Sequence, residues 1–207
     1  MSLTLPLVNV KKIHFGDLVQ ERIHHVFSGE YSYHFLNKYS PQEYDVDGTI
    51  LKDELELASW SGDTKRDGTR LWNDELTRLI WISCCEEFGI NPFSFVERCY
   101  LNAQTKGQVS YWHPDSGFEN TPKFTILYYP SINNRQEHRG TEFLVDGKVE
   151  YIPYHTGSAV MFRTDLWHRG LDTDSTLSPR NTLVFHTIDL TKTGRKLFEG
   201  TLGYNYD

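Results

Sequence analysis

The sequence predicts a mainly β protein, a double-stranded β-helix (jelly roll) with supporting N-terminal α-helices. Two observations carry most of this. From residue 93 onward the chain breaks into eight short strand-like runs separated by turn signals, with no helical periodicity among them. Between two of those runs, Asp146-Gly147 is a two-residue hairpin signal of the type I′ kind. A third observation places the helices upstream: residues 71–88 carry the clearest helical pattern in the chain, ahead of all eight runs. Aromatic residues make up 14% of the sequence, and aromatic, β-branched segments favour sheets.

Taken in order, residues 1–10 read as a short strand or extended arm. Asp17 is placed as the cap of a helix over 18–27, with Val19, Ile23, Val26 and Phe27 on one face and Gly29 ending it. Residues 31–39 alternate as a strand. Residues 40–70 read mostly as loop, a lid or a solvated insertion, with one short strand near 55–59. In the 71–88 helix, Trp72, Leu76, Leu79, Ser83 and Cys84 form the inferred buried stripe. Asp74 and Glu75 sit in the first turn, and Gly89 follows the last. The eight runs are 95–102, 107–112, 123–129, 141–145, 148–152, 158–163, 168–170 and 182–189. These boundaries give one domain over 1–207: support and loops over 1–92, the jelly-roll core over 93–190, and a polar tail over 191–207.

The 207 residues suffice for one full-sized core. A net charge of −7 argues against a polyanion such as duplex DNA as partner. The three cysteines, Cys84, Cys85 and Cys99, form neither a disulfide framework nor a zinc pattern, which points to a reducing compartment. No stretch approaches eighteen apolar residues, and the amino terminus lacks a leader pattern. The expectation is a cytoplasmic protein with no membrane partner; oligomeric state is not legible.

The chemistry concentrates between Tyr111 and His186. His113-Pro114-Asp115 is followed far downstream by His168, and Arg180 lies twelve residues beyond that. With nine histidines and 28 acids, about one His-x-Asp/Glu is expected by chance, so the first motif alone is weak. With a distal histidine it becomes a 2-His-1-carboxylate set, a facial triad that leaves coordination positions open on Fe(II). Strand alternation puts Arg180, Thr182, Val184 and His186 on one face, and Thr125, Leu127 and Tyr129 on one face of another strand.

These residues resemble the iron(II)/2-oxoglutarate-dependent dioxygenases, closest to their prolyl-4-hydroxylase-like branch, over residues 95–188. The resemblance rests on five features in order: His113-Pro114-Asp115, the 123–129 strand, Gly140-Thr141-Glu142-Phe143, Pro153 through Gly157 to Phe162, and Arg180-Asn181-Thr182. It implies that His113, Asp115 and His168 bind Fe(II) and are the catalytic set. It implies that 2-oxoglutarate chelates the metal while Arg180, Thr182, Tyr129 and Asn102 hold the co-substrate. His186 falls where the family places a ring beside it, although a core histidine is the alternative. O₂ is the oxidant, ascorbate a supporting reductant, and succinate and CO₂ are products. Retention of Asp115 favours hydroxylation or demethylation over halogenation.

The sequence departs from the family in having Arg139 at the first glycine of Gly-Gly-Glu, and in a longer gap from His168 to Arg180, placed at the substrate entrance. Three readings of function follow. The first is a hydroxylase acting on a protein or peptide side chain. The second is the same chemistry on a small molecule or nucleobase. The third is a jelly-roll metal-binding module without oxygenase activity, holding zinc for example; a buried Arg180 argues against it.

Overall fold

The computed structural model describes residues 8–27, 33–38, 43–44, 50–51, 58–62, 74–93, 96–115, 124–130, 138–175 and 179–187. Among these described residues, two helices and twelve strands follow in chain order: β1 (Val8–Lys12), α1 (Asp17–His25), β2 (Tyr33–Lys38), β3 (Glu43–Tyr44), β4 (Ile50–Leu51), β5 (Ala58–Gly62), α2 (Glu75–Phe88), β6 (Val96–Gln104), β7 (Phe124–Tyr128), β8 (Thr141–Val145), β9 (Lys148–Ile152), β10 (Ser158–Arg163), β11 (His168–Gly170) and β12 (Arg180–Thr187). Seven strands make a major sheet in the order β1-β10-β7-β12-β6-β5-β2, and three make a minor sheet, β11-β8-β9. The ladders pair antiparallel, as a jelly roll requires.

Both faces of the major sheet carry buried apolar residues, and strand alternation divides these between two cores. On one face Ile126 and Tyr128 of β7, Leu183 and Phe185 of β12 and Met161 of β10 pack with Ile23, Phe27, Ile80, Trp81 and Phe88 from the helical side. On the other face Leu127, Val160, Phe162 and Val184 pack with Phe143 of the minor sheet, closing the sandwich. Burying a Leu or Phe of this kind contributes roughly 1.5–3 kcal/mol, and β12 buries all eight of its residues. The alternation expected for β7 and β12 holds residue by residue, so Arg180, Thr182 and Val184 face the interior of the sandwich.

The helices differ from expectation in detail. Gly16, with extended ψ 154°, is the N-cap of α1, and Asp17 is its first residue. Glycine is nearly as good a cap as aspartate, while a carboxylate inside the first turn still gains from the helix dipole. Val19 lies at the rim, 36% exposed, whereas Ile23, Val26 and Phe27 are buried. Asp74 rather than an earlier residue begins α2: its carboxylate accepts from the Thr77 backbone N–H at 3.0 Å. Gly89 closes it in the left-handed region at φ 68°. The buried stripe of α2 is Thr77, Ile80, Trp81, Cys84, Cys85 and Phe88, and Leu79 is 42% exposed. That stripe carries the large ring of Trp81 against Phe185 of β12, with centroids 5.3 Å apart, and wins over the narrower leucine stripe. Trp72 and Gly29 lie outside the described residues, as does the tail.

The predicted 107–112 strand does not form. Gln108 N–H closes a turn on Thr105 O, and the Gln104 amide donates to Gln108 O and Ser110 Oγ. Side chains thus take partners that a ladder would have used. The β8–β9 hairpin is as expected: Asp146 (φ 50°) and Gly147 (φ 74°) both occupy the left-handed region that a type I′ turn demands. The 40–70 segment contains β3, β4 and β5, of which β5 joins the major sheet beside β6. Among the described residues no helix is long and apolar enough to cross a membrane.

Cys84, Cys85 and Cys99 are free and buried, and burial pushes the Cys84 and Cys85 thiols far up from their ordinary values. A thiol reagent should therefore label none of the three rapidly in the native protein at pH 8 and all three in guanidinium. Rapid native labelling of Cys84 or Cys85 would contradict the packing of α2.

Candidate metal centre and its adjoining pocket

A single antiparallel bridge assembles the metal-binding set. His113 and His168 exchange both backbone hydrogen bonds, each 3.0 Å. Residues opposed in this way project to the same face, and their rings lie with centroids 4.5 Å apart. Asp115, two residues on, shares that face, and its N–H donates to Thr164 O at 2.8 Å. One potential ligand atom from each of the three lies within 4.8 Å of the others. Asp115 Oδ1 is 3.6 Å from His168 Nε2 and 3.9 Å from His113 Nε2.

The imidazoles are set for metal. His113 Nδ1 donates to Tyr111 O at 2.7 Å and His168 Nδ1 to Leu166 O at 3.0 Å. A carbonyl only accepts, so each Nδ1 carries a proton, and Nε2 is the nitrogen left to bind a ligand. Burial, offset in part by Asp115, lowers the His168 pKa to about 4, so the ring is neutral at pH 7. Burial alone would raise the Asp115 pKa. The facing His168, His186 and His113 and the Thr125 hydroxyl outweigh it and hold the carboxyl below its ordinary value. Phe143 and Phe162 wall the His168 ring, at 5.9 and 4.6 Å between centroids. Two imidazoles and one carboxylate on one face, open on the other side, fit a divalent transition metal of the Fe(II) type.

The triad opens into a pocket that Arg180, Thr182, Asn102, Gln104 and Tyr100 also line. Arg180 is 2% exposed. All five of its N–H groups find neutral acceptors: Arg139 O and Gly140 O from the backbone, and Gln104 Oε1, Thr182 Oγ1 and Thr141 Oγ1 from side chains. Among the described residues no carboxylate lies within ion-pair distance of it. Its charge is solvated but not neutralised. Gly170 is confined by this arrangement, since a Cβ there would lie 2.8 Å from Gln104 Oε1 and 3.2 Å from Arg180 Nη1. Gly140 is tighter still: a Cβ would meet Ile152 O at 1.7 Å.

The other candidate residues are placed as follows. Asn102, opposite Thr182 in the β6–β12 ladder, lines the pocket. Tyr129 does not line it. Its ring stacks on Tyr154 at 4.3 Å and its hydroxyl is bonded to Thr141 Oγ1 at 2.8 Å, one layer behind the wall. His186 is a buried, bonded histidine near Asp115, with Nε2 2.8 Å from the Tyr100 hydroxyl. Trp112 packs away from the triad, beneath the Arg169 guanidinium. The His168–Arg180 gap is stitched down where it is described: Thr173 bridges His138, Asp172 O accepts from Arg139 N–H, and Asp172 Oδ2 accepts from Gly107 N–H.

Sequence reading missed Gln104, Ser110, Thr141, Thr125 and Tyr100. Gln104 was within reach, since it shares a strand face with Asn102 and sits directly opposite Arg180. Ser110 and Thr141 are brought in by contacts between distant segments, for which the sequence carries no signal.

Compared with known proteins, the sequence matches no family model and no curated protein, but the fold has many counterparts. It is similar to a prolyl hydroxylase from Trichoplax adhaerens in complex with a hypoxia inducible factor oxygen degradation domain peptide fragment. That match has a TM-score of 0.54 and 14% identity, covering 88% of this chain and 84% of that one. It is similar to an oxidoreductase of the 2OG-Fe(II) oxygenase family from Burkholderia pseudomallei, with a TM-score of 0.57 and 13% identity, covering 87% and 85%. It is also similar to the epimerase SnoN in complex with Fe³⁺, alpha ketoglutarate and nogalamycin RO, with a TM-score of 0.56 and 11% identity, covering 89% and 80%. The fold is thus that of 2-oxoglutarate/Fe(II) oxygenase structures.

Because the donor set is preformed, Mn²⁺ or Co²⁺ should bind once per chain and raise the melting temperature. At a hundredfold excess over Kd the gain is about 2.7 kcal/mol. Asp115→Ala should bind neither ion and show no such rise in a parallel melt. Equal metal-dependent stabilisation of the two proteins would place the metal elsewhere.

Proposed function

We propose that this chain is an Fe(II)- and 2-oxoglutarate-dependent dioxygenase that hydroxylates a C–H bond of a protein or peptide side chain, releasing succinate and CO₂. The observation that carries the reading is the buried, un-neutralised Arg180 in the same pocket as a 2-His-1-carboxylate set. A buried charge without an opposite partner is costly unless a ligand supplies one. A zinc-only module has no use for such a cation, whereas a dicarboxylate that chelates the metal with one end needs it at the other.

His113, Asp115 and His168 would hold the iron, and the bound iron would couple oxidative decarboxylation of the oxo-acid to oxidation of a substrate C–H bond. The remaining work belongs to this chain's own groups. Arg180 supplies the positive field for the distal carboxylate. The Thr182 hydroxyl, which accepts from Arg180 Nη1 at 3.0 Å, keeps its proton to donate to that carboxylate. Asn102 offers amide donors from the neighbouring strand. Tyr129 supports from behind, fixing Thr141, which in turn accepts from Arg180 Nη2 at 2.9 Å. Val184, Leu127 and the rings around His168 supply the apolar wall that limits water. A peptide substrate is favoured by the prolyl hydroxylase neighbour, which holds a peptide; the epimerase neighbour supports a small molecule.

Anaerobic addition of Fe(II) and 2-oxoglutarate should give a weak visible charge-transfer band, and succinate should then form only with O₂. Mass spectrometry of candidate peptides and metabolites after turnover identifies the substrate class. Arg180→Met should weaken 2-oxoglutarate binding by about 2–4 kcal/mol, roughly 30- to 1,000-fold, with metal affinity kept. Arg180→Lys should fall between, because it retains charge without the planar fork. Unchanged co-substrate affinity in a folded Arg180→Met protein would overturn the assignment.

A further inference from the structure

Behind the metal face lies a chain of polar side chains that the proposed reaction does not itself require. Thr125 Oγ1 is 2.6 Å from Asp115 Oδ2 and 3.2 Å from His186 Nδ1, and His186 Nε2 is 2.8 Å from the Tyr100 hydroxyl. Thr125 is fully buried, and His186 is 8% exposed. The Tyr100 and His186 rings stack with an interplanar angle of 18°. Tyr100 also lines the pocket.

The direction of every bond follows from donor chemistry. The Asp115 carboxylate only accepts, so the single Thr125 hydroxyl proton is committed to Asp115 Oδ2. Thr125 can then only accept from His186, which places a proton on His186 Nδ1. A neutral His186 has its lone pair on Nε2, and Tyr100 donates to it. At 3.9 Å, His186 Nδ1 is too far from Asp115 Oδ2 to bond it directly, so Thr125 is the necessary link.

We infer that Tyr100, His186 and Thr125 form a directed hydrogen-bond relay that positions Asp115, anchoring Oδ2 and presenting Oδ1 alone to the metal. The geometry is consistent at both ends. Oδ1 is the oxygen that faces His168 Nε2 at 3.6 Å and His113 Nε2 at 3.9 Å. Oδ2 is turned to Thr125. A carboxylate free to rotate would offer both oxygens and occupy a position the oxo-acid or O₂ needs. Thr125, His186 and Tyr100 are positioning residues, and none is a ligand. Strand geometry supports the set: Thr125 and His186 are register partners in the β7–β12 ladder, and Tyr100 stands opposite Val184 on β6. Adjacent strands of one sheet thus hold the three groups in line.

The inference rests on the metal-site reading, and the test separates the two. Co²⁺ titrated into the purified full chain gives an affinity and a visible d–d spectrum that reports coordination number, with no turnover needed. Asp115→Ala is run beside wild type; if wild type binds no better than that variant, the metal site itself fails and the relay with it. With a functioning site, Thr125→Val should weaken Co²⁺ binding about 10- to 100-fold and change the spectrum. Thr125→Ser, which keeps the hydroxyl, should restore both. His186→Phe, which keeps a ring against Tyr100, should lose less than Thr125→Val, and Tyr100→Phe least. Unchanged affinity and spectrum in Thr125→Val would overturn the relay. So would equal losses in Thr125→Val and Thr125→Ser, which would mean packing rather than the hydroxyl. Should Thr125→Val fail to fold, wild-type behaviour of His186→Phe would overturn the relay on its own.

Discussion

The site depends on one backbone contact, the pair of hydrogen bonds exchanged by His113 and His168. It ties the loop after β6 to β11 of the minor sheet, so two ligands from distant segments become neighbours on one face. Each bond is worth only about 1 kcal/mol net. Their effect comes from what else fixes β11 and the loop. β11 is held in register by β8, with His168 opposite Phe143, while Ser110 N–H reaches Gly170 O and Asp115 N–H reaches Thr164 O on either side. Four backbone hydrogen bonds therefore hold the segment, and the side-chain geometry follows from the pleat.

The major sheet makes this possible by having two unlike faces. The helix side of β12 carries Leu183 and Phe185, which pack toward α1 and α2, and also Asn181, whose amide donates to Phe27 O at 3.1 Å. The opposite side carries Arg180, Thr182 and His186, polar groups that would be costly in a sandwich core if unpartnered. Each has a partner. Both faces thus contribute to the packing, but only the face toward the minor sheet also carries Arg180, Thr182 and the residues that meet the triad. A one-residue slip of β12 would exchange the two sets and destroy both.

Arg180 is the most demanding of these groups. Its charge sits in the protein with five neutral acceptors, two of them carbonyls of Arg139 and Gly140 just ahead of β8. The guanidinium therefore staples the minor sheet to the major one while keeping a positive field in the pocket. The glycine at 140 belongs to the same arrangement, because a side chain there would strike the Ile152 carbonyl. Arg139, where the resembled family has glycine, is accommodated by pointing outward to Asp172 and Asp174.

Local rules made a large part of this legible. The type I′ hairpin, the Gly89 helix end, the extents of β8 to β11 and the alternation on β7 and β12 follow from turn chemistry and a period of two, which act over a few residues. The 2-His-1-carboxylate set and Arg180 were legible because their residue types and order carry a specific chemistry. The buried stripe of α2 was not, since Leu79 and Ile80 are equally apolar and only the neighbour against which the helix packs chooses between them. Nor was the irregular path from Thr105 to Trp112, where Gln104 and Gln108 side chains displace a ladder. The position of Tyr129 behind Thr141, the five acceptors of Arg180 and the alignment of Tyr100, His186 and Thr125 depend on contacts between strands far apart in sequence. The sequence by itself determined which groups are present and which face of a strand each occupies, because those are local properties of the backbone. Tertiary structure alone decided which groups meet, because strand order and register are set by the burial of the whole sheet.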